Sequence, residues 1–270
     1  MQDGALVEDL RALRRSRSLL AVLVRREIDA RHAGTAAGIV WPYLQPLLVI
    51  SAYYLVLDVV FAMRLGPEAP VRAVGTFLIV GALPWMAFCD ALSRGAGSLV
   101  ESGGILQKNA LPPVLFPVKA VLGSAAIFLP LMTGVTGVYA LFQPGAASVA
   151  LLALLPLWGL QIVLSGALAY LLAILTAALR DTQQFVGFFL SVGIYLSPVL
   201  FPVALFPQDW QWALWLNPMT PFVLGHQQVL LSGSWPDSMV WWAILIWCLV
   251  TMLLLRPVVT RSREQLVDWL

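Results

Sequence analysis

Between residues 5 and 33 apolar side chains recur every three or four positions, at Leu6, Leu10, Leu13, Leu20, Leu23, Val24 and Ile28, with arginines between them. This spacing predicts an amphipathic helix lying in a membrane interface, its apolar face on acyl chains and its arginines toward headgroups. Within about one helical turn near Gly34 and Gly38 the alternation stops. From there to Ala62 the chain is apolar, with Asp58 as its only charge. A change from charge to hydrocarbon over so short a distance marks the entry of a first transmembrane span.

Stretches long enough to cross a bilayer, at roughly 20 residues each, run over 38–62, 72–92, 113–140, 147–179, 182–206 and 237–259. The fourth is overlong and is expected to tilt, to kink near Pro156 or to extend beyond the bilayer. The interval 207–236 behaves differently. It holds no lysine or arginine and carries Trp210, Trp212, Trp215 and Phe222, yet Pro218 and Pro221 cut it into pieces too short to cross. It reads as a pair of short re-entrant helices in the outer leaflet, tolerated where they pack in protein or line a wet cavity. The plainer alternative is an interfacial hairpin anchored by its tryptophans.

Charge placement orients these spans. Seven arginines precede the first one; Arg94, Lys108 and Lys119 flank the loop between the second and third; Arg180 follows the fourth; Arg256, Arg261 and Arg263 close the chain. Of the 16 basic residues only Arg64 and Arg72 fall on the other side. The positive-inside rule therefore predicts six spans with both termini in the cytoplasm. Composition agrees: 60% hydrophobic and 11% charged residues place the chain among all-α polytopic membrane proteins, as a single integral domain over 1–270. Cys89 and Cys248 both sit in apolar stretches and read as small core residues rather than a disulfide or metal site.

Enzymatic chemistry finds little support. With Lys108 and Lys119 as the only lysines, no Gly-Lys-Ser/Thr phosphate loop exists, and neither a Gly-x-Ser-x-Gly elbow nor a His-Glu-x-x-His pair is present. His32 and His226 are predicted on opposite membrane faces. Asp58 and Asp90 are candidates for proton coupling because intramembrane carboxylates are costly. Both lie near span ends, however, and Asp90 has Arg94 one turn on as a partner.

Three groups of motifs carry a resemblance. One is Arg-Arg-Glu-Ile-x-x-Arg (25–31) leading into Gly38-Ile39-Val40-Trp41-Pro42-Tyr43-Leu44-Gln45-Pro46. Another is Gly81-Ala82-Leu83-Pro84-Trp85, followed by Ser93-Arg94-Gly95, Glu101-Ser102-Gly103-Gly104-Ile105-Leu106-Gln107-Lys108 and Phe116-Pro117. The last is Arg180-Asp181 with Ser197-Pro198-Val199-Leu200-Phe201-Pro202 and Leu216-Asn217-Pro218-Met219-Thr220-Pro221-Phe222. From about residue 20 to 230 the chain resembles, in consistent order, the permease subunits of type-2 ABC exporters, in the branch that moves O-antigen, capsule or teichoic acid. It departs in lacking the usual tyrosine near His32 and an aromatic where Leu111 precedes Pro112.

The resemblance implies a homodimer in the bacterial inner membrane, a lipid-linked polysaccharide as cargo, and two separate ATP-binding cassette subunits that hold the ATP and Mg. No cofactor or nucleic acid is implied for this chain. Residues 94–112 would hold the coupling helix that meets the ATPase, with Arg94, Glu101, Gly103, Gly104 and Lys108 as contacts and the Arg180–Asp181 turn as a second one. The N-terminal helix would be the interface helix. Sugar C–H faces stack on aromatic rings, so Trp41, Tyr43, Tyr53, Tyr54, Trp85 and Phe88 are the candidate pathway lining. Pro198, Phe201, Pro202, Asn217, Pro218 and Pro221 are the candidate periplasmic gate, and Arg64 and Arg72 candidate contacts of the carrier diphosphate. Rival readings are a drug or small-lipid exporter of the same fold, a stand-alone secondary transporter and an intramembrane enzyme.

Overall fold

The computed structural model describes residues 4–36, 38–65, 73–142, 149–263 and 265–270. Arg72 lies outside them. The N-terminal segment is two helices rather than one, α1 (Ala5–Arg15) and α2 (Arg17–Ala30), broken at Ser16. Part of its apolar face rests on protein: Leu6, Leu13, Leu19, Leu20 and Leu23 are half-buried against a core built with Leu99, Phe116, Ile174 and Leu255, while Leu10 and Val22 stay exposed. Even Asp9 is buried there, accepting a hydrogen bond from the Tyr170 hydroxyl at 2.9 Å. Burial raises the pKa of this carboxyl, against the lowering effects of Tyr170 and Arg263.

After a turn in which Gly34 (φ 76°) and Gly38 (φ 53°) adopt the left-handed conformation, the first long segment begins with a 3₁₀ turn at Gly38–Val40. It continues as α3 (Trp41–Tyr54) and a π turn at Leu55–Val60. The left-handed Ala62 (φ 47°) lies just beyond it. Then follow α4 (Val74–Glu101), the one-turn α5 (Gly103–Leu106), α6 (Leu115–Phe142), α7 (Leu154–Ala178), α8 (Thr182–Gly193), the one-turn α9 (Gln211–Leu214), α10 (Thr220–Ser232), α11 (Ser238–Ser262) and α12 (Leu266–Trp269). The C-terminal end of α10 is closed by Gly233 at φ 63°, the left-handed cap that glycine adopts without steric cost. No β-strand occurs among the described residues; an isolated bridge joins Arg64 to Ala73.

Five described segments are long and apolar enough to cross a bilayer: Gly38–Val60, Val74–Glu101, Leu115–Leu141, Val149–Ala178 and Ser238–Ser262. The stretch 182–206 is not a sixth continuous helix. It stops at Gly193, because Pro198 and Pro202 follow and cannot donate to a helical ladder. Nor is the fourth span kinked at Pro156. The extra length is taken up by a 3₁₀ turn at Val149–Ala153, and Pro156 falls in the first turn of α7, where its missing N–H costs nothing.

The centre of the bundle is α4, which packs against α3, α6, α7, α8 and α10. Gly95 lets α7 come close: a Cβ there would sit 2.5 Å from the Cβ of Ala169 on α7. Small residues at such crossings give lipid-embedded helices their packing.

Candidate functional site

Three regions hold the polar chemistry. At the basic end of the bundle an ion cluster joins α2, α4 and α6. Arg31, one residue past α2, has a side chain only 4% exposed. Its guanidinium donates to Asp90 Oδ2 at 2.8 Å, Ser124 Oγ at 3.2 Å and the Ala120 carbonyl at 3.4 Å. Ser124 also donates to Asp90, and Arg94 Nε donates to Asp90 Oδ1 at 2.9 Å. Glu27 lies within 3.3 Å of Lys119, 3.8 Å of Arg31 and 3.9 Å of Arg94. Burial lowers the pKa of Arg31, and the Asp90 carboxylate opposes that shift. The pairing of Asp90 with Arg94 follows from their spacing. Arg31, the deeper partner, is 59 residues away, and only its place at the end of an amphipathic helix hints at it. Asp90 is thus neutralised by two arginines, the expected Arg94 and the deeper Arg31, while the Arg94 side chain stays 44% exposed.

Asp58 is likewise engaged. Its Oδ2 accepts the Gly75 amide at 2.7 Å, a carboxylate on the exposed N–H groups at the start of α4. A Cβ on Gly75 would lie 2.3 Å from that oxygen and 2.5 Å from the Tyr54 ring, so only glycine fits. Arg64, half exposed, reaches Asp58 Oδ1 at 3.4 Å and the Met63 carbonyl at 2.8 Å.

The second region is the broken segment from Ile194 to α10. Its backbone groups are met by side-chain amides, as irregular backbone in an apolar setting requires. Asn217 donates to the carbonyls of Gly193 (2.9 Å) and Leu196 (3.3 Å), while its Oδ1 accepts the Met219 amide at 3.0 Å. Gln227 donates to the Pro198 carbonyl at 2.7 Å, Gln161 to that of Pro84 at 2.8 Å, and Thr220 to that of Leu214. Pro198 and Pro221 are buried, Pro202 and Pro218 half-buried, and Phe201 stacks on Phe206 with centroids 5.7 Å apart. Beneath, Trp158 Nε1 donates to His226 Nε2 (2.9 Å) and His226 Nδ1 meets the Phe222 carbonyl (2.7 Å), contacts that need the neutral ring with its proton on Nδ1. The prolines of this group are evident in the sequence. The buried amides Gln161 and Gln227 are not, although a glutamine inside an apolar run is the signal that finds them.

The third region is the short helix α5 and its surroundings. Gly104, Ile105, Lys108 and Glu101 are exposed, whereas Gly103 is buried against Leu270: a Cβ at Gly103 would come within 3.1 Å of the Leu270 carbonyl oxygen. The two glycines thus face opposite ways. Arg180 and Asp181 are exposed in the turn before α8.

The six aromatic candidates do not form one surface. Trp85 and Phe88, both buried, line an apolar cavity of about 470 Å³ with Phe188 and Phe189 of α8. Trp85 reaches the end of α8, where a Cβ on Gly193 would lie 2.7 Å from its ring. Trp41, Tyr53 and Tyr54 are exposed on α3, and the half-buried Tyr43 hydroxyl lies 3.5 Å from the Ala126 carbonyl.

A multi-span helical bundle with a broken, amide-braced segment and an exposed one-turn helix can be compared with known families. The model of the ABC-2 type transporter family matches residues 18–231. The chain belongs to that family. Among curated proteins it is 30% identical, over 234 residues, to the O-antigen export system permease protein RfbA of Myxococcus xanthus, covering 85% of this chain and 86% of that protein. It is 24% identical over 224 residues to the RfbA of Klebsiella pneumoniae, covering 80% and 81%. It is also 24% identical over 250 residues to the polysialic acid transport protein KpsM of Escherichia coli, covering 90% and 92%. All three regions lie wholly or largely within the matched span. As an ABC-2 membrane protein the chain is a multi-pass transport component.

Proposed function

We propose that the chain is the membrane-spanning permease of an ATP-driven exporter that moves a lipid-linked polysaccharide, O-antigen first, across the bacterial inner membrane. The observation that carries this reading is a family match over 18–231 together with relatives named O-antigen export permeases over four-fifths or more of both chains. Capsular polysaccharide is the second reading, favoured by the extent of the match to KpsM.

In this reading there are six crossings, with α8 and the turns after it making the fifth. Both termini are cytoplasmic, where the basic residues concentrate. The segment from Pro198 to Pro221 is a re-entrant outer gate, braced by Asn217 and Gln227. A second copy of the chain covers the exposed faces of α3 and α8, and two ATP-binding cassette subunits, holding ATP and Mg, dock on Gly104, Ile105, Lys108 and the Arg180–Asp181 turn. The carrier's apolar tail stays in lipid, while its diphosphate and sugars need a wet or aromatic route. Weak stacking, of roughly 1–3 kcal/mol per ring by analogy with single-strand binders, lets a polymer slide. Arg64 and Arg72 would meet the diphosphate outside. ATP-driven closure would move α5 and, through the helices joined to it, part the gate.

The test is purification of the tagged protein from native membranes in mild detergent, with deletion of its gene alongside. A stoichiometric ATPase subunit and loss of the surface glycan are expected. A chain that elutes alone and works without an ATPase would overturn the reading, and loss of capsule rather than O-antigen would select the second one.

A further inference from the structure

We propose that Arg31 is a positioning residue: it ties the joint at the start of the first span to α4 and α6, so that movement of the coupling helix reaches α3. This inference rests on the exporter reading above. Its basis is the contrast between what lies on the two sides of Arg31. Behind it the chain is clamped. The Arg31 guanidinium bonds Asp90 of α4 and both Ser124 and the Ala120 carbonyl of α6, and Glu27 of α2 binds Lys119 of α6 in the same cluster. Three helices therefore share one node. Asp90 lies on the same unbroken helix as Glu101, and Gly103 opens α5 two residues later. Eleven residues of helix, about 16 Å, separate the node from the coupling helix as a stiff rod.

Ahead of Arg31 the chain has room to turn. Gly34 and Gly38 both hold left-handed backbone, and a Cβ on either would meet nothing within 4 Å. The helix that follows is scarcely packed: 17% of its most apolar window is buried. Beneath its first turns lies a cavity of about 250 Å³ lined by Arg31, Trp41, Gln45, Cys89, Asp90 and Arg94. At its far end the same segment is pinned again, by Asp58 on the Gly75 amide. So α3 is a helix held at both ends, hinged at one, with space under the hinge.

An ion cluster is a poor device for stability alone, since desolvation offsets much of the attraction and apolar replacements often serve as well. It is a good device for fixing the relative position of three helices while leaving a fourth to swing.

Cys89 faces the cavity and reports on it, because a buried thiol is inert and a wetted one reacts. The experiment uses the complete complex with its ATPase partner in vesicles, with Cys248→Ser as background and a maleimide as probe. In the parent, Cys89 labelling is expected to differ several-fold between nucleotide-free and ATP-trapped states. In Arg31→Gln and Asp90→Asn labelling becomes independent of nucleotide, and export falls roughly tenfold relative to ATP hydrolysis. Arg31→Lys, which keeps the charge, restores part of both. Equal labelling in the two nucleotide states of the parent overturns the proposal without any variant, so a variant that fails to fold does not rescue it. Export and hydrolysis falling in proportion in Arg31→Gln also overturns it. A normal ATPase complex with an indifferent Cys89 defeats this inference alone, whereas failure of any ATPase to bind defeats the exporter reading with it.

Discussion

The first and second spans have the same mean hydropathy, 1.6, yet 72% of the most apolar window is buried in Val74–Glu101 and 17% in Gly38–Val60. Hydropathy therefore does not decide which helix occupies the centre. Lipid tails are as apolar as leucine, so helices associate where small residues let backbones approach. The second span, α4, carries Gly75, Gly81, Gly95, Ala82, Ala91 and Ala96, all buried. The first presents Val49, Tyr53, Tyr54, Val56, Val59 and Val60 outward. The last span is nearly as bare, at 22% buried, but apart from Trp242 near its start its open face is Met239, Leu245, Ile246, Leu249 and Leu253, which suits lipid. The open face of the first also holds Gln45, Trp41 and two tyrosines. Polar atoms on a bare face ask for water or another protein surface, which is what the proposed second copy and pathway supply.

Matched tryptophans test the contrast most sharply. Trp85 of α4 is 5% exposed and packed over Gly193, so Trp85→Ala is expected to cost about 3–5 kcal/mol. Trp41 of α3 is 44% exposed, and Trp41→Ala is expected to change stability by no more than about 0.5 kcal/mol. Thermal melts in detergent measure both. In the exporter reading Trp41→Ala slows export while the ATPase stays bound. Equal melts for the two variants would break the contrast.

Adding atoms should be as asymmetric as removing them. Gly95→Leu drives a side chain into Ala169, and Gly75→Ala collides with Asp58 and Tyr54; each is expected to cost about 1–3 kcal/mol, with Gly95→Leu at the upper end. Gly34→Ala meets open space, but its left-handed backbone alone should cost roughly 1 kcal/mol. Monodispersity on gel filtration and the melting temperature rank the three. A Gly95→Leu variant that elutes and melts like the parent would remove the α4–α7 crossing from the centre of the fold.

Much of this was legible in the residues. Periodicity and length marked every long helix, since about 20 apolar residues can do little else. Pro218 and Pro221 marked a broken segment, and Asn217 beside them joins the end of α8 to the start of α10. What escaped was long-range pairing. Asp58 and Asp90 are both carboxylates near span ends, only Arg94 beside Asp90 is legible from spacing, and the fold alone assigns Asp58 to the Gly75 amide and Asp90 to Arg31. The continuous reading of 182–206 failed because an apolar run says nothing of where its hydrogen bonds go, and Pro198 and Pro202 end the ladder early. The single amphipathic helix failed for a related reason. Its leucines fit lipid or a protein core equally well, and the buried partner of Asp9, Tyr170, is 161 residues away.

The finest discrimination concerns what covers α3. Val56 is 40% exposed and Val60 64%, both on the π turn that ends the segment. In a chain whose first span faces only lipid, Val56→Ala with Val60→Ala exchanges protein–lipid contacts for others like them. Stability should then shift by no more than about 0.5 kcal/mol. If a second copy packs there, the same truncation opens a gap between two proteins, and part of the loss depends on association. The melting temperature would then fall with dilution more steeply in the variant than in the parent, as mass action requires. The same concentration dependence in variant and parent would leave the bare face to lipid and shift the self-interface to α8, where Phe185, Phe188 and Phe189 are more than half exposed. The burial difference between two equally apolar helices would then record where lipid sits, and not where a partner does.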